Sequence, residues 1–185
     1  MGNGDTTMSW EDFYRRRDAL DAAERLASRD PEGPLPFAQV PHATEVFTGP
    51  AELLLALHYR WTMKLTGRLG MAVADAESDP SIDRVDAVRT AWLATAREFP
   101  VLRRLLDAHA DDFDGALRPA LAGEHRMLAL ASGLAEHGED PEEITRIGQA
   151  LLALIRTTPD HEPAPEPERR RNPIEQFLRK LVASV

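Results

Sequence analysis

The apolar residues of this chain recur every three to four positions, segment after segment, and nowhere alternate with polar ones over a strand's length. That period is the spacing of one face of an α-helix. It predicts an all-α fold, and the prolines say where the helices end.

The longest periodic run follows Pro50, where a proline suits the first helical position, and continues to about Glu77. Leu53, Leu57, Trp61, Leu65, Leu69 and Val73 fall on one broad face. Before it, a helix from just after Ser9 to about Arg29 carries Trp10, Phe13, Tyr14 and Leu20. Residues 30–49 hold Pro31, Pro34, Pro36 and Pro41, and Phe37, Val40, Val46 and Phe47 predict that this loop packs down on the body. Further helices are expected over about 82–98, 101–110 and 116–136, and from Pro141 to about Arg156. The last starts on Asp140-Pro141-Glu142-Glu143, which supplies a cap, a rigid first residue and acids for the positive end of the helix dipole. The expected architecture is a single bundle of five to six helices spanning 1–157, with a detached amphipathic helix at the C-terminus.

Residues 158–171 read TPDHEPAPEPERRR, a composition with nothing to bury, and are expected to form a disordered linker. Over 172–185, Ile174, Phe177, Leu178, Leu181 and Val185 make a narrow apolar stripe at spacings i, i+3, i+4, i+7 and i+11. Such a tethered helix suits a groove on another protein. Docking on the chain's own body is the competing reading. Arg169, Arg170, Arg171, Arg179 and Lys180 would also suit an anionic membrane, although one short helix binds weakly.

Composition narrows the function classes. The chain has no cysteine, which removes disulfides, thiol nucleophiles and Cys-ligated metals. All but Lys64 and Lys180 of its 22 basic residues are arginine, a bias expected of a GC-rich bacterial genome. Neither a secretory signal nor a run of about 18 apolar residues is evident, so a cytoplasmic location is expected. The formal charge is −9, and because residues 168–185 contribute +3 the remainder carries −12. An acidic body repels phosphate backbones, which argues against nucleic-acid binding.

No catalytic or metal-binding motif emerges. The six histidines form no Glu-x-x-His or His-x-x-x-His pair, and no cofactor is implied. A looser constellation remains: His58 falls on the Leu57/Trp61/Leu65 face, His109 among Leu102, Leu105 and Leu106, and Glu124 between Leu117, Leu121 and Leu128. These inward polar groups would either line a ligand pocket or each be satisfied by a buried hydrogen bond or lie at the edge of the core. In the second case leucine at 124 is expected to keep or raise stability. Trp10, Phe13 and Tyr14, with Trp61 and Trp92, read mainly as core, with part of the N-terminal group as an exposed recognition patch. The leading functional expectation is a non-enzymatic interaction or adaptor protein that docks through its C-terminal helix. The alternative is a helical small-molecule-binding protein with a polar-lined pocket inside the bundle.

Overall fold

A computed structural model of the chain describes residues 10–158. Among these residues there are eight α-helices and no strand. They are α1 (Trp10–Ala27), α2 (Ala43–Val46), α3 (Pro50–Ser78), α4 (Arg84–Glu98), α5 (Pro100–Ala108), α6 (Asp112–Gly115), α7 (Arg118–Ser132) and α8 (Pro141–Thr157). The six longer helices correspond to the six periodic segments, and α2 and α6 add one turn each. The expected linker 158–171, beyond its first residue, and the expected helix 172–185 with its stripe from Ile174 to Val185 lie outside the described residues. One compact unit ends at Ile155, and a second begins at Arg156.

Helix α3 is the spine of the body. Leu53, Leu57, Trp61 and Leu65 are fully buried and Leu69 nearly so, as the four-residue spacing requires. Its most extensive packing is against α4, with α5 and α7 also laid on it. Val88, Ala91 and Trp92 of α4, Leu102, Leu105 and Leu106 of α5, and Leu117 and Leu128 at α7 complete the main core, joined by Leu151, Leu152 and Ile155 of α8. A satellite cluster of Ala129, Ala135 and Ile144 closes the contact between α7 and α8. Full burial of each leucine contributes on the order of 1.5–3 kcal/mol, which only a continuous apolar face on every helix can supply.

Helix ends follow local chemistry. Asp83 caps α4 by accepting a hydrogen bond from the Asp86 backbone N–H at 2.8 Å. Helix α7 stops sooner than periodicity suggests, because Gly133 adopts φ 73° and turns the chain out of the helix. Its N–H and that of Leu134 then bond back to Leu130 and Ala129 at 3.1 Å. The Pro-rich loop does pack down: Val40, Ala43 and Phe47 are buried. Between α5 and α7, Phe113 and Asp114 take left-handed backbone angles (φ 53° and 56°), conformations that non-glycine residues adopt at a cost.

Candidate functional site

Two features stand out: a charged cluster inside the bundle and an apolar groove on its surface.

The cluster is built by four helices. Glu124 reaches inward from α7, His58 from α3, Trp92 from α4 and Arg103 from α5. His58 Nε2 lies 3.1 Å from Glu124 Oε2 and donates to it. The other oxygen, Oε1, faces the Trp92 indole N–H at 3.4 Å and Arg103 Nη1 at 3.5 Å. Arg103 also grips Asp107, one turn on, through Nη2 at 2.8 Å and Nε at 3.2 Å. Its guanidinium sits 4.9 Å over the Trp61 ring, which meets Trp92 edge-on at 6.0 Å.

The Glu124 side chain is completely enclosed and that of His58 is 5% exposed. Burial pushes the Glu124 carboxyl upward more strongly than any other single influence. The His58 hydrogen bond, the Arg103 charge, the nearby Trp61 indole and the His58 charge together more than offset it, leaving the pKa at about 2. Trp61 acts there by proximity, since its Nε1 meets no acceptor in hydrogen-bonding geometry. A carboxylate so acidic is a poor proton acceptor near neutrality, and both its oxygens are occupied. The arrangement ties four helices to one buried carboxylate.

The three polar residues singled out in the sequence therefore part company. His58 and Glu124 meet. His109 is also buried but has other partners: Asp112 at 2.6 Å through Nδ1 and the Gly33 carbonyl at 3.1 Å through Nε2. It staples the Pro-rich loop to the corner after α5. Sequence reasoning missed Arg103, which is 4% exposed. Asp107 at i+4 is its local partner, but Glu124, the charge that draws it inward, lies on another helix. No group of three or more His, Cys, Asp or Glu side chains among the described residues is placed to hold a metal ion.

The groove runs between α1 and α3. Phe13 and Leu20 of α1 face Leu55, Ala56, Tyr59 and Met63 of α3 across a cavity of about 610 Å³. Trp10, 77% exposed, extends the apolar surface along α1, with Phe13 edge-on to its ring and Tyr14 edge-on to that of Phe13. Trp61 and Trp92 belong to the core, whereas Trp10, Phe13 and Tyr14 are exposed. The α3 wall was missed. Leu55, Tyr59 and Met63 form a second apolar stripe opposite Leu53, Leu57 and Trp61, and Tyr59 is 66% exposed. Two apolar stripes on one long helix were the available signal.

Arginines brace the groove. Arg16 reaches from α1 to the Val46 carbonyl and to Glu52 Oε1, both at 2.9 Å, with its guanidinium 4.4 Å over Phe47. Arg60 returns from α3 to Asp21 at 2.6 Å and Glu24 at 2.7 Å. The Thr48 backbone N–H, then Arg16, hold the Glu52 carboxyl below the usual carboxylate range against a small opposing effect of burial. The walls are thus fixed by ion pairs at both ends while the apolar floor stays uncovered.

Among the described residues no helix is long and apolar enough to cross a membrane. No protein-family model matches the chain, and no curated protein or solved structure resembles it significantly.

Proposed function

We infer that this chain is a non-enzymatic interaction or adaptor protein. Its helical body takes one partner in the α1/α3 groove, and its C-terminal segment, through Ile174, Phe177, Leu178, Leu181 and Val185, supplies a contact to another. The observation that carries this reading is the continuous exposed surface of Trp10, Phe13, Leu55, Tyr59 and Met63. Scattered apolar residues on a surface need no explanation, but a contiguous aromatic patch beside a groove is the mark of an interaction site. The amphipathic spacing of the C-terminal stripe supports the second contact from sequence.

A small molecule is the competing occupant, since 610 Å³ falls within the size of ligand cavities. Such sites bury roughly 70–90% of their ligand, however, and walls as open as Tyr59 leave one side of any occupant uncovered. A pocket inside the bundle is disfavoured by the mutual saturation of His58, Glu124 and Arg103.

Tyr59→Asp with Met63→Asp places two charges on the α3 wall of the groove without touching the core. Phe177→Ala with Leu181→Ala does the same service for the C-terminal stripe. In co-purification from the native cell each pair is expected to lose a different set of proteins, with the melting temperature within about 2 °C of the parent. Retention of every partner by both variants would sink the adaptor reading. A drop of several degrees for the Phe177/Leu181 pair would instead assign the stripe to the protein's own packing.

A further inference from the structure

We propose that the occupant of the α1/α3 groove is an amphipathic α-helix of about three turns whose apolar stripe is flanked by acidic side chains. This rests on the interaction reading above and specifies the partner's chemistry.

Length comes first. Along α1 the groove is lined from Phe13 to Leu20, about 10 Å of helix rise, with Trp10 a turn beyond, and along α3 from Leu55 to Met63, about 12 Å. Three turns of a third helix match that span. The walls are themselves helices whose backbone groups are bonded internally, so the groove has no open strand edge on which an extended peptide could add. Recognition must come from side chains, through ridges of a helix settling between two others.

Charge then selects the flanks. The groove is lined by Arg16, Arg17, Arg60 and Lys64 against Glu52 as its one carboxylate. Arg16 and Arg60 are committed to bracing the walls. Arg17 and Lys64 are differently placed. Arg17 is half exposed, with its guanidinium 5.0 Å over the Tyr14 ring and Asp18, next to it in sequence, as its ion-pair partner. The Lys64 ammonium lies 3.6 Å over the Phe99 ring. The Lys64 ammonium, set on an aromatic face, keeps most of its charge available to an incoming carboxylate, and the Arg17 guanidinium, already paired with Asp18, keeps less. In a chain of net charge −9, this is a groove that presents cations around an apolar floor.

The test uses the full chain and synthetic peptides about 16 residues long, long enough to form helix on docking. One peptide carries leucine and phenylalanine at helical spacing with glutamates beside the stripe. A second has lysine for each glutamate, a third is proline-rich, and vesicles of phosphatidylcholine with phosphatidylserine form a fourth arm. The acidic helix is expected to bind roughly tenfold more tightly than the basic one, with the gap closing as salt rises. Tyr59→Asp with Met63→Asp should abolish binding, and Arg17→Glu with Lys64→Glu should reverse the preference while the thermal transition stays in place. Equal or tighter binding of the basic helix overturns the proposal. So does capture of the proline-rich peptide or the vesicles by the same groove residues, or failure of every peptide to bind. If Tyr59→Asp strips native partners while no peptide binds, the interaction reading stands and the acidic-helix assignment alone falls. If it strips none and no peptide binds, both fall.

Discussion

Glu124→Leu is expected to destabilise the protein by about 3–5 kcal/mol, enough to lower its melting temperature by roughly 10 °C. Leucine is close in size, and burying it is favourable. What decides the sign is the company Glu124 keeps. Its removal strands His58, which is 4% exposed, leaves Arg103 with the half-exposed Asp107 alone, and takes the acceptor from the Trp92 indole. An uncompensated buried cation costs more than the leucine returns. The structure reverses the direction expected from sequence, where leucine was to keep or raise stability, because Arg103 joins His58 as a buried partner of Glu124. The triple variant Glu124→Leu, His58→Leu, Arg103→Met should recover most of the loss, because it removes the carboxylate together with the imidazole and the guanidinium that it holds. A single Glu124→Leu variant that melts with the parent would show that the cluster does not hold the helices together.

The same cluster sets an acid limit. The Glu124 pKa falls from 4.5 in the unfolded chain to about 2 in the fold. Depression of a carboxyl contributes stability that is present in full above the unfolded value and is lost as pH falls through the folded one. By linkage the contribution is roughly 3 kcal/mol, the same order as the cost of deleting the side chain. The stability gap between the parent and Glu124→Gln should therefore be constant above about pH 4.5 and shrink between there and about pH 2. A gap that stayed flat through that window would assign the difference to packing.

The all-α class was legible because each long helix carries its own apolar face, and that pattern survives whatever the helix packs against. Helix starts were legible where proline and acid coincide, as at Asp140 to Glu143. Ends were less so. Gly133 interrupts a run whose apolar pattern continues, and only its left-handed backbone turns the chain. The short helix α6 falls between the expected helices, since nothing local announces that Phe113 and Asp114 take positive φ. Of the polar residues, Glu124 and His58 were legible as charges on apolar faces. Arg103 was not, because an arginine near the edge of a short helix ordinarily snorkels to water, and the charge that draws it inward lies on another helix. The groove was half legible. The exposed aromatics of α1 stood out, but Leu55, Tyr59 and Met63 look like core until the opposite face of α3 is seen to be filled already.

Gly148→Ala should do what glycine-to-alanine changes inside helices rarely do and unfold the region it sits in. Alanine normally stabilises a helix interior by about 1 kcal/mol over glycine, through the entropy of the unfolded chain. Gly67 in α3 and Gly123 in α7 are such ordinary positions, where an added Cβ meets nothing within 4 Å, and alanine at either should raise stability by about that much. At Gly148 the added carbon would overlap the carbonyl oxygen, carbonyl carbon and Cα of His125. These are backbone atoms in the middle of α7, so no side-chain rotation can relieve the contact. The two helices must separate, and Ile144 with Leu151, Leu152 and Ile155 would be drawn from the packing they share with the body. Overpacking against movable side chains costs about 1–3 kcal/mol, and against fixed backbone the upper end is the minimum expected. The effect has an address: amide exchange should accelerate across α8 before it does in α3, whose core face packs mainly on α4. If Gly148→Ala instead stabilises the protein as Gly67→Ala does, then α7 and α8 do not pass this close, and the seating of α8 on the bundle must be redrawn.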